Sequence, residues 1–101
     1  MTIYEVNLCV DAGIIDAYRE WLAAHVAEML ALPGFESARV MQVEEPAAAP
    51  GEVALCVQYR LRDRDALARY LAEHAPRMRE DGLARFGGRF RATRRILSSA
   101  G

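Results

Sequence analysis

No stretch of this chain approaches the roughly 20 consecutive apolar residues a helix needs to cross a bilayer. Its opening, MTIYEVNLCV, has neither a basic leader nor a small-residue cleavage site and already alternates like a strand, so a cytoplasmic protein is expected. Cysteine is scarce. Cys9 and Cys56 both fall mid-strand without CxxC or CxxH spacing, which reads as buried reduced thiols rather than redox or metal chemistry. Histidine is equally scarce, with only His25 and His74, and no third ligand stands at recognisable metal-binding spacing. Neither a metal nor a cofactor is expected. FGGRF (86–90) is glycine-rich but lacks a phosphate-loop pattern and reads as a turn into a strand. Lysine is absent altogether, so all 13 basic residues are arginine.

What is present is the balance of a soluble globular domain, with 52% hydrophobic and 27% charged residues in 101. The expected organisation is one domain over residues 1–97 with a flexible tail at 98–101. A net charge of −1 conceals an asymmetry: residues 1–59 carry two Arg against nine acids, and residues 60–101 carry eleven Arg against five. Such halves favour docking of oppositely charged surfaces, within one chain or between two copies. The C-terminal arginines could instead mark an anion or nucleic-acid footprint. Glu80 and Asp81 interrupt them, however, and the strand arginines fall on both faces. A solvated surface paired with the acidic half is the better reading, and nucleic acid is not expected as a partner.

Hydrophobic periodicity gives the elements. IYEVNLCV (3–10) alternates as a strand, with Tyr4, Val6, Leu8 and Val10 on one side. Asp16 is placed to cap a helix whose stripe runs Ile15, Tyr18, Leu22, Val26, Met29, and LPGF (32–35) ends it. Strands follow at 36–44 and 52–61 around a Pro-rich loop, PAAAPG (46–51). Asp63 caps a second helix, Pro76 breaks or kinks it, a further helical piece covers 76–86, and a last strand covers 89–97.

The order is β-α-β-β-α-β, and the two halves are related. YREWLAAHVAEM (18–29) aligns without gaps on LARYLAEHAPRM (67–78) at an offset of 49, pairing Trp21 with Tyr70, His25 with His74 and Met29 with Met78. Two such βαβ halves predict an α+β, ferredoxin-like fold: a four-stranded antiparallel sheet with both helices on one face. The other face, with Ile3, Glu5, Asn7, Cys9, Ala54, Cys56, Gln58 and Arg60, is left half-apolar. It is a surface on which two copies can pack as a dimeric α/β barrel, with Glu5 and Arg60 pairing within or across the interface. Itself, as a homodimer, is the expected macromolecular partner.

The candidate catalytic residues are His25, Glu28 and His74. His25 lies one turn after Trp21 in an otherwise apolar stripe, with Glu28 at i+3, and His74 stands one turn after Tyr70. A boundary histidine packed on an aromatic and bonded to a carbonyl accounts for either one without function. The alternative is a pocket between helices and sheet, lined by Tyr18, Trp21 and Tyr70 with Arg60 as a ligand-binding cation, where a ring titrating near neutrality shuttles a proton.

WLAAHVAEML, VQY, YLAEHAPRMREDGLARFGGRF and the closing RRIL together resemble, over nearly the whole chain, a family of small bacterial proteins that form a domain of unknown function. That family is similar to the dimeric α/β-barrel superfamily of antibiotic-biosynthesis-monooxygenase-like proteins. The superfamily spans cofactor-independent monooxygenases, small isomerases, haem-degrading enzymes and pure ligand binders. The family pattern has Thr-Gly before the phenylalanine at the helix exit, where this chain has LPGF, a departure confined to a turn. The resemblance implies the fold and the dimer and transfers no catalytic residue. Two classes of function follow: a small-molecule binder or cofactor-independent enzyme, or a non-enzymatic structural or regulatory homodimer.

Overall fold

The computed structural model describes residues 1–101. Strand β1 (Thr2–Asp11) leads through a 3-10 turn (Ala12–Ile14) into α1 (Ile15–Leu30), followed by β2 (Phe35–Gln42) and β3 (Glu52–Leu61). Helix α2 (Arg64–Glu73), helix α3 (Ala75–Phe86), a second 3-10 turn (Gly87–Arg89) and β4 (Phe90–Ser98) complete the chain. The sheet order is β2-β3-β1-β4 and every neighbouring pair is antiparallel. This is the α+β, ferredoxin-like arrangement anticipated from the two halves. None of its helices is long and apolar enough to cross a membrane.

Register explains which side chains meet. Tyr4 pairs with Tyr59, Val6 with Val57 and Leu8 with Leu55, so alternate residues of the two central strands face the helices. On β4 the same face carries Phe90, Ala92, Arg94 and Ile96, opposite Val10, Leu8, Val6 and Tyr4. Tyr18, Leu22 and Met29 of α1, with Leu67 and Tyr70 of α2 and Met78 of α3, close the core over them. Gly34, at φ +84°, lies where the chain leaves α1; a Cβ there would come within 2.4 Å of the Ala66 Cβ, so only glycine lets the turn pass under α2.

Local chemistry departs from expectation at two helix starts. Asp16 does not cap α1: it lies inside the first turn, and Asp11 caps the preceding 3-10 turn by accepting from the Gly13 N–H at 2.7 Å. The 3-10 turn feeds the helix directly, so no extended residue is left for Asp16 to occupy as a cap. Asp63 does cap α2, accepting from Ala66 N–H at 2.8 Å. Pro76 cannot donate to the Ala72 carbonyl, and the chain breaks two residues before it, at His74 (φ −124°), between α2 and α3.

The face away from the helices is held by a compact polar network. Glu5 is 2% exposed although no element covers its side of the sheet. It accepts from Asn7 at 2.8 Å, Gln58 at 2.9 Å and Arg95 at 2.7 Å. The Arg95 bond, then the Asn7 bond, hold its pKa down to about 2 against the opposing effect of burial. Within one chain the Glu5–Arg60 pair does not form. Arg60 stands opposite Ile3, whereas Gln58 and Arg95 stand opposite Glu5, and Arg60 turns to Glu36 at 3.4 Å. Arg89–Asp11 and Arg91–Glu52 join Arg95–Glu5 in tying the basic end of the chain to acids of the first half.

Candidate functional site

A cavity of about 240 Å³ lies between the helices and the helix-facing side of the sheet. Its volume is just under the ~300–1,000 Å³ of drug-sized ligand pockets, so it suits a compact guest. Six elements build it: β1, β3 and β4 provide the floor, and α1, α2 and α3 the walls. Tyr18, Trp21 and His25 project into it from successive turns of α1. The aromatic rings are in mutual contact, with Tyr18 5.4 Å from Trp21, 5.1 Å from Phe86 and 5.3 Å from Phe90 between centroids. Burial raises the hydroxyls of Tyr18 and Tyr70 to about 12, so both are neutral donors at physiological pH.

His25 stacks on Trp21 at 4.6 Å and 20° between ring planes. Its Nδ1 is the one buried side-chain nitrogen or oxygen in the protein without a hydrogen-bond partner. Charging the ring would leave a buried N–H without an acceptor, and burial accordingly pushes the His25 pKa below 6.5. Glu28 and Asp81 act in the opposite direction. The resting ring is therefore neutral, with carboxylates nearby that favour the imidazolium once a proton arrives.

Those carboxylates come from two helices. His25, Glu28 and Asp81 offer ligand atoms within 4.8 Å of one another. Around a tetrahedral ion with bonds of about 2.1 Å, ligand atoms stand roughly 3.4 Å apart, so this trio would have to close to hold a metal. Asp81 is instead engaged by the Trp21 indole N–H at 3.1 Å. That bond fixes the indole against which the imidazole stacks.

The candidate residues separate cleanly. Tyr18, Trp21, Tyr70 and His25 line the cavity, and Glu28 sits exposed behind His25. His74 does not line it. The helix break places its Nδ1 2.9 Å from the Arg77 guanidinium on the exposed side. Arg60 is on the opposite side of the sheet, paired with Glu36, because its position in β3 alternates with the cavity-facing residues. Sequence reasoning counted Arg79 and Arg94 only among the C-terminal arginines of a possible anion footprint, and took Asp81 only as an interruption of them. For Arg94 a signal existed, as the one charged residue among Phe90, Ala92 and Ile96 on a single strand face. Asp81 meets His25 only through the packing of α3 against α1, which leaves no local trace.

Solved structures with the same architecture fall into one class by fold. The chain is similar to a candidate antibiotic biosynthesis monooxygenase from Deinococcus radiodurans (TM-score 0.73, 15% identity, 100% of this chain and 94% of that one). It is likewise similar to a variant of SnoaB, a cofactor-independent oxygenase from Streptomyces nogalater (TM-score 0.66, 15% identity, 99% and 94% covered). It is also similar to the de novo designed protein Foldit4 (TM-score 0.64, 14% identity, 97% of each chain). A designed sequence among them shows that the likeness concerns fold and carries no activity by itself. No curated protein matches the chain in sequence. The chain belongs to the family described as Domain of unknown function (DUF4286), whose match spans residues 1–100.

Proposed function

We propose that the chain binds a compact aromatic molecule in the cavity beneath α1 and α3, and that His25 is the group that takes a proton from it without a cofactor. The observation that carries this reading is a neutral imidazole bordering an aromatic-lined cavity, with Glu28 and Asp81 beside it. A neutral ring has the free lone pair a base needs, and the carboxylates stabilise the imidazolium that results. The tilted rings of Tyr18 and Trp21 would offer aromatic contacts to a planar guest beside it. The cofactor-independent oxygenase with this fold lends the enzymatic part of the reading support by analogy.

A fragment screen read by Trp21 fluorescence and by NMR of the indole N–H tests this. Aromatic fragments are expected to shift both signals. His25→Ala should weaken them about tenfold or more with little change in Tm. A screen in which no aromatic perturbs Trp21, or an unaltered affinity in His25→Ala, overturns the proposal.

The second reading, a homodimer through the open sheet face, is favoured by the satisfaction of Glu5. With every hydrogen bond of that carboxylate supplied from its own sheet, covering the face leaves Glu5 paired. Met41 on the same face is 38% exposed and gains from cover. Sedimentation equilibrium is expected to give twice the 11.3 kDa chain mass; a monomer at tens of micromolar rules the dimer out. A cytoplasmic setting suits the two free thiols, Cys9 and Cys56.

A further inference from the structure

The two charged side chains that line the cavity are both cationic. Arg79 from α3 and Arg94 from β4 line it, and no aspartate or glutamate does. Arg79 donates to the Tyr4 hydroxyl at 3.1 Å, a neutral partner. Neither it nor Arg94 belongs to the ion pairs of the protein, which engage Arg60, Arg62, Arg89, Arg91 and Arg95. In a chain with more acids than bases, two guanidiniums that line one cavity outside every ion pair are free to meet an anionic guest. Their field reaches inside. Arg94 opposes the effect of burial on Tyr18, and Arg79 and Arg94 both oppose it on Tyr70.

We infer that the natural guest of the cavity is an aromatic acid, its ring among Tyr18, Trp21 and Phe90 and its carboxylate on Arg94 and Arg79. This deepens, and rests on, the reading of the cavity as the binding site. A guanidinium fork matches a carboxylate in two parallel hydrogen bonds, and a largely apolar cavity strengthens them relative to water. The size of the void restricts the body of the guest to one or two rings.

The test uses matched pairs differing only in charge: benzoate with benzamide, phenylacetate with phenylacetamide, and naphthoate with naphthamide. Binding is read by Trp21 fluorescence and by calorimetry. At least one acid is expected to bind about tenfold or more tightly than its amide, a gap that narrows with added salt. Arg94→Gln, a change at an exposed residue that leaves the core untouched, should close most of that gap, and Arg79→Gln part of it. Acids and amides that bind alike, or a gap that survives Arg94→Gln, overturn the inference while leaving the cavity reading intact. If neither acids nor amides bind, the cavity reading fails and takes this inference with it.

Discussion

His25 and His74 occupy matching places in two related halves, yet the structure gives them different work. In the first half the helix continues past its histidine, because the position matching Pro76 is Ala27. The imidazole is thereby kept one turn above Trp21, stacked on it and beside the cavity. In the second half Pro76 breaks the helix at His74, and the ring faces Arg77 in the exposed layer. The aromatics diverge in step. Tyr70 points into the core, 5.6 Å from Tyr4 and 5.1 Å from Phe35, whereas Trp21 stands half-buried at the cavity edge. One imino acid has turned a repeated motif into a packing half and a half that borders the cavity with its histidine.

The sharpest test of that division is a pair of truncations at matching positions. Tyr70→Ala removes a ring that is 3% exposed and should cost about 3–5 kcal/mol in urea unfolding. Trp21→Ala should cost less, about 2 kcal/mol, while weakening ligand binding read by calorimetry. Equal costs would show that the halves still share one role.

A smaller effect separates the two histidines by pH. The folded His25 pKa lies below 6.5, so as pH falls the unfolded chain takes up this proton first. The stability due to neutral His25 is fully present above about pH 6.5 and is lost as pH falls towards the depressed folded value. Glu5, held at about 2, contributes its own loss only below its ordinary 4.5. Urea midpoints compared between pH 7.5 and 5.5 should therefore drop in the wild type and drop less in His25→Gln. His74→Ala should cost less than about 1 kcal/mol. A pH response unchanged in His25→Gln would overturn the assignment to His25.

Fold and site were legible to different depths. Period-two and three-to-four-residue patterns are local, and they located all four strands and both main helices to within two residues, because one face of each is buried in a single core. The cavity wall from α1 was visible for the same reason, since Tyr18, Trp21 and His25 share one helix face. Asp81 was not, because it meets His25 across helices 56 residues apart in sequence. Arg60 was misplaced since alternation tells which residues share a face but not which face holds the void. His74 was misplaced because an alignment that matches letters is blind to the backbone break two residues before a proline.

Gly82 has a mechanical consequence beyond its small size. A Cβ there would lie 2.9 Å from the rim of the Trp21 indole, so the ring sits in a notch on α3. One turn to either side the notch is filled, by Met78 and by Phe86. The indole and the notch work as a key in a keyway: α3 cannot slide along α1 by a turn without driving a large side chain into the ring. Arg79 and Asp81 ride on that same helix, so the distance between the cationic and the basic ends of the void is set by the absence of a single methyl group.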